Sequence, residues 1–238
     1  MDYAIVEGAV RGRRVPNDWA KLSELVHFSQ SMLQATSACL FWADGESDSE
    51  LALKTGLCDA MEREYFEWGH RHDPLHPDRL AAKPEAIVFL SDRGREAHSS
   101  PEIYRAFLTS YGIVDEVDFV LRQDKRPVAV MSVMKRACDP PFDRQSFQWE
   151  TLHRHLEFVL REHPRVQEIR TRVRLLNDFR LTPREVEVAG LVGKGASNAA
   201  IAQAMGIGVA TVKTHIVNIL DKLGVDSRFA INAFVASI

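Results

Sequence analysis

The sequence predicts an α+β protein in two parts, an N-terminal α/β/α layer arrangement around an antiparallel sheet and a C-terminal bundle of four helices. Three observations predict it. Runs that alternate apolar and polar residues occur in pairs joined by turn-forming residues, and all of them precede residue 135. A proline in a charged stretch, His163-Pro164, interrupts the pattern, and from Leu181 onward it is helical with strong start and stop signals. The 238 residues, 45% of them hydrophobic, suffice for two separate cores.

The first helix is expected over 17–34, capped by Asn17 or Asp18, with Trp19, Leu22, Leu25, Val26, Met32 and Leu33 on its inner face. Strands at 38–43 and 51–57 follow as a hairpin across the polar turn 44–49. Asp59 is expected to cap a helix reaching His70, which Asp73-Pro74 and His76-Pro77 break. A strand over 86–90 and a helix from Pro101 to Gly112 come next. Val117, Phe119 and Leu121 alternate with Asp118 and Arg122, and the chain turns at 124–127 into a partner strand over 128–134. A long helix over 142–160 closes the unit. This order of elements is the layout of PAS- and GAF-like sensory modules. The domains are therefore set at 1–163, a charged and partly helical linker at 164–180, and a second domain at 181–238.

The C-terminal domain shows its helix ends in the residues. Thr182-Pro183-Arg184-Glu185 is a capping box with proline at the first helical position. Gly195 ends that helix, Ser197 caps the next, and Gly206-Ile207-Gly208 makes a tight turn. The third helix, 209–223, turns Val212, Ile216, Ile219 and Leu223 inward and leaves Thr211, Lys213, Thr214, Val217, Asn218 and Lys222 elsewhere on its surface. Such a face suits a DNA major groove: basic and hydroxyl groups meet phosphates, while Asn218 or Val217 addresses base edges. Asp226 or Ser227 is the cap expected for a fourth helix.

The segments L-T-P-R-E-V-E-V, G-A-S-N-A-A-I-A, A-T-V-K-T-H-I and K-L-G-V-D-S-R resemble the LuxR-type four-helix DNA-binding domain over most of 181–234. The resemblance implies a transcription regulator that binds double-stranded DNA as a homodimer at an inverted-repeat site, and it admits RNA polymerase as a further partner. Carried over residue by residue, the DNA-binding set is Thr182, Arg184, Ser197, Asn198, Thr211, Lys213, Thr214, His215, Val217, Asn218, Lys222 and Arg228. Some positions depart from the family pattern, among them Ala189 and Gly190, where bulkier residues are usual. Ala200 stands where glutamate is common, and Gly208 replaces a hydroxyl cap at a cost of about a few tenths of a kcal/mol.

The same resemblance extends in part to the first domain, which in many LuxR-type regulators binds an acyl-homoserine lactone. Tyr65, Asp73 and Pro74 resemble the family's tyrosine and Asp-Pro signature, the tyrosine lining an acyl pocket and the carboxylate accepting an amide N–H. Trp68, Phe89 and Trp42 complete the ligand-binding set. Met61, however, stands where a lactone-contacting tryptophan is expected, and Asp115-Glu116-Val117 replaces a family glycine. The expectation is thus a divergent regulator that does not use a standard lactone, with a lactone-responsive regulator as the alternative.

Composition narrows the remaining classes. The net charge of −3 hides a split, acidic over 1–173 and basic over 174–238. Three cysteines without a C-x-x-C pair suggest neither a disulfide framework nor a zinc site and point to a cytoplasmic protein. Residues 1–10 lack a basic signal-peptide start, and no apolar run is long enough to span a membrane. The cluster His70-Arg71-His72-Asp73-Pro74-Leu75-His76 has the wrong spacing for a metallo-hydrolase, and no phosphate loop or nucleophile elbow is present. No enzyme, metal or cofactor is expected, only a small-molecule signal of unassigned chemistry.

Overall fold

The computed structural model describes residues 17–43, 49–94 and 100–237. Most of the turn expected at 44–49 lies outside the described residues, as do residues 1–10 and the side chains of Asn17 and Asp18. The chain divides into two compact units, Met1–Val166 and Gln167–Ile238.

In the first unit a five-stranded antiparallel sheet runs in the order β2-β1-β5-β4-β3. Its strands are β1 (Ser37–Trp42), β2 (Glu50–Thr55), β3 (Ile87–Phe89), β4 (Ile113–Gln123) and β5 (Arg126–Arg136). Helices α1 (Asn17–Met32) and α5 (Trp149–Arg161) cover one face, burying Leu22, Leu25 and Val26 from the first and Leu152, Leu156 and Leu160 from the second. The helices α2 (Asp59–Glu67), α3 (Pro77–Ala81) and α4 (Pro101–Ser110) cover the other. The layers are those the sequence predicts.

Both faces of the central strands are therefore walled. Asp118, which alternates with Val117 and Phe119, is accordingly only 1% exposed. The corrections are local. Cys58 is the N-cap of α2, while Asp59 ion-pairs with Lys54 at 2.5 Å. The closing helix begins at Trp149, not near 142, because Phe142 is drawn from any helical register into a cluster with Phe89 and Trp149. Met32, expected on the inner face, is 48% exposed. The second hairpin turns in only two residues, Asp124 and Lys125, both with positive φ.

The expected linker is mostly one helix, α6 (Pro164–Asn177), with Val166 buried near its start and Leu175 joining the core of the second unit. That core gathers Val188, Ile201, Val212, Ile216, Ile219 and Ile231 from α7 (Pro183–Gly193), α8 (Asn198–Met205), α9 (Val209–Leu223) and α10 (Arg228–Ser237). Gly206 ends α8 in the left-handed conformation, φ 65°, which frees the chain to turn sharply, and α8 and α9 meet at 107°. Among the described residues no single helix is long and apolar enough to cross a membrane.

Candidate nucleic-acid interface and buried pocket

The 3.6-residue repeat of α9 sorts its side chains into two sets. Val212, Ile216, Ile219 and Leu223 are buried, whereas Thr211, Lys213, Thr214, Val217 and Asn218 are exposed and His215 is half-buried. Val217 is 63% exposed and Val209, which the sequence reading passed over, 43%. Two bare valines among hydroxyl, amide and ammonium groups make a mixed polar and apolar surface one helix wide, the width a major groove admits.

The remaining predicted DNA contacts hold this surface in place. Thr182 Oγ1 accepts the Glu185 N–H, and Glu185 Oε2 accepts the Thr182 N–H at 2.7 Å, the capping box read from sequence. The same Glu185 oxygen receives the Lys222 ammonium at 2.6 Å, which ties α9 to the start of α7. Burial works against the Glu185 carboxylate, but the bonds from Lys222 and Thr182 outweigh it and lower its pKa. Arg228 donates to Asn198 Oδ1 at 2.6 Å and to the Ala196 carbonyl, which ties α10 to the start of α8. Ser197 caps α8 through the Ala200 N–H, Thr214 bonds back to the Ala210 carbonyl, and Arg184 pairs with Glu187. Gly208 gives α9 no side-chain cap.

Residues 180–235 match the family described as "Bacterial regulatory proteins, luxR family". The C-terminal unit is a LuxR-family regulatory domain. The chain is 26% identical over 200 residues to the monoamine regulon transcriptional regulator of Klebsiella aerogenes, across 83% of this chain and 82% of that protein. It is 54% identical over 48 residues to the response regulator protein VraR of Staphylococcus aureus, covering 20% of this chain and 23% of VraR. A crystal structure of Escherichia coli SdiA aligns at TM-score 0.45 and 14% identity, over 94% of this chain and 91% of that one. The match places residues 180–235 in a family of DNA-binding regulatory domains.

The first unit holds a pocket between the sheet and α2–α4, with about 40 Å³ of free space, room for about two or three waters. Tyr65 and Asp73, two of the five predicted ligand residues, meet there. Tyr65 donates to Asp73 Oδ2 at 2.8 Å, and Oδ1 accepts the Leu75 N–H at 2.7 Å. Burial pushes the Asp73 carboxyl up to about 7, against those two bonds and the nearby Arg79. Trp68 stands behind the wall, its ring edge-on to Phe107 at 5.3 Å and its indole N–H on Glu64.

The other two predicted ligand residues are corrections. Trp42 lies on the opposite sheet face, its ring tilted against His163 at 4.9 Å and beneath the Arg165 guanidinium. Phe89 packs on Trp149 at 4.9 Å and under Arg144 on that same far face. Strand alternation sends neighbouring side chains to opposite sides, and a match by aromatic type does not register which side.

Several residues of the pocket were missed from the sequence: Glu116, Tyr104, Ser132 and Cys39 line it. Glu116 and Asp118 share the face of β4 that carries Val120, a member of the core on this side. A larger open groove of about 510 Å³ lies beside Arg105, Lys135 and Asp139, but Arg105 and Lys135 donate to main-chain carbonyls. No three His, Cys, Asp or Glu side chains among the described residues converge as metal ligands.

Proposed function

We propose that this protein is a cytoplasmic, non-enzymatic transcription regulator whose C-terminal domain reads a two-fold related operator as part of a homodimer. Its N-terminal domain senses a small molecule other than a standard acyl-homoserine lactone. The observation that carries the DNA reading is the free face of α9: Thr211, Lys213, Thr214, Val217 and Asn218 stand in solvent on a helix whose other side is locked into a core. Support for the homodimer comes from Phe28, Met32 and Phe158, exposed apolar side chains on the adjoining helices α1 and α5. Met61 and the buried acids of β4 support a departure from lactone chemistry. The Tyr65–Asp73 pair favours the second reading, a lactone-responsive regulator.

Titration of a labelled promoter fragment at several salt concentrations tests the DNA reading. Lys213→Ala is expected to weaken binding to all sequences and to lower the salt slope by about one. Val217→Ala is expected to change which sequences are preferred and to leave the slope alone. An unchanged slope for Lys213→Ala removes the phosphate role, and failure to retard any genomic fragment at low salt removes the DNA reading.

A further inference from the structure

The edge of the sheet that walls the pocket also holds the start of α6. On β1, Phe41 turns into the pocket and its neighbour Trp42 turns to the opposite face. Their partners on β2 divide in the same way: Leu51, opposite Phe41, lines the pocket, and Glu50, opposite Trp42, reaches Arg165. A β-bulge sets this register. Leu40 pairs with Leu53 and Phe41 with Leu51, so Ala52 is the extra residue. Without it Leu51 would stand opposite Trp42 on the far face, and Glu50 would turn away from α6.

Several groups close on the first turn of α6. Arg165 lays its guanidinium over the Trp42 ring, 4.9 Å from the centroid, and its Nη1 donates to Glu50 Oε2 at 2.7 Å. The His163 ring lies 4.9 Å from that of Trp42, and its Nδ1 accepts the Arg165 N–H at 3.2 Å. Val166, next in the chain, is wholly buried. The Glu50–Arg165 pair is open to water and holds little by itself, so most of the grip comes from the cation over a buried ring and from the burial of Val166. Beyond Val166 the next buried side chain of α6 is Leu175, a member of the second core.

Resting on the sensory role proposed above, we infer that Trp42, Glu50 and Arg165 form a clamp through which the pocket wall governs the start of α6. Phe41 and Trp42 are joined by one peptide unit, as are Leu51 and Glu50, and peptide units are rigid. A shift of the two wall residues therefore carries the two clamp residues with it. The hairpin is able to shift here. Strand β2 is the edge of the sheet, paired on one side only, and the bulge interrupts its ladder at this point. Arg165, Trp42 and Glu50 act as positioning residues, since none of the three lines the pocket.

The test is amide hydrogen exchange of the full chain, without DNA, followed by mass spectrometry over residues 168–172, whose N–H groups close the first turns of α6. Arg165→Gln and Glu50→Gln are expected to speed exchange there about fivefold or more. Leu51→Ala changes the pocket wall and leaves the clamp residues in place, and it is expected to do the same. Met61→Ala, on the α2 wall of the same pocket, is expected to leave exchange at 168–172 unchanged. When Leu51→Ala is combined with Arg165→Gln, the effect is expected to fall short of the product of the two, since an open clamp has nothing left to pass on. Circular dichroism and unchanged exchange in α5 mark a folded variant, and Leu51→Val takes the place of Leu51→Ala if that chain does not fold.

Unchanged exchange in Arg165→Gln, equal effects of the Leu51 and Met61 variants, exchange that rises as much in α5, or independent effects in the double variant overturns the proposal. The promoter titration stands apart: retarded DNA with no coupling removes only the clamp, and coupling with no retarded DNA removes only the operator.

Discussion

Glu185 shows how one side chain can do the work of three. It closes the capping box with Thr182, receives Lys222 from α9, and sits almost wholly inside the C-terminal core. Glu185→Gln keeps the shape and removes the charge. It is expected to destabilise the domain by about 1–2 kcal/mol, read as a lower urea midpoint by circular dichroism. The capping box was legible because its partners are three residues apart. Lys222 as a tie was not, because its partner lies far away in the chain and only the fold brings the two together. The same limit explains the pocket. Tyr65 and Asp73 could be found by their local signature, but nothing local marks Glu116 as a pocket residue until the sheet is known to be covered on both sides.

At the scale of elements, the ends set by local chemistry were legible and those set by packing were not. Helices α7 to α9 fall where their caps and glycines place them, within a residue or two. The start of α5 was misplaced because the apolar residues before it satisfy a tertiary cluster rather than a helix face. The β4–β5 turn offers a prediction at this scale. Asp124 and Lys125 both adopt positive φ, at 50° and 66°, a two-residue turn that favours Asn-Gly. Replacing Lys125 by glycine removes a left-handed penalty of about 1–2 kcal/mol per residue, offset in part by the greater freedom of glycine in the unfolded chain. Asp124→Asn with Lys125→Gly is therefore expected to raise the unfolding midpoint of the first unit, followed by tryptophan fluorescence, since all four tryptophans belong to that unit.

For the molecule as a whole, the acids in the pocket make stability depend on pH in an unusual direction. Asp73 titrates near 3.8 when solvated and at about 7 in the folded pocket, so the folded state holds the proton more tightly. Its contribution is full below about pH 4 and is lost as pH rises through 7. Glu116 and Asp118, raised in the same direction, add to it. Asp73 is expected to lower the melting temperature progressively between about pH 4 and pH 7, a slope that Asp73→Asn reduces; calorimetry of both proteins in matched buffers checks it. Two units were legible from the break at His163-Pro164, while the placing of their boundary within α6 was not, since the buried anchors Val166 and Leu175 stand among charged neighbours. The strand β4 carries one more consequence, for how such a fold changes over generations. Glu116 lines the cavity, while Phe119 on the opposite face stacks on Trp149 of α5. Mutation can therefore reshape the cavity's lining along one register while the other goes on anchoring the fold, so a lineage can alter the pocket without first having to rebuild its scaffold.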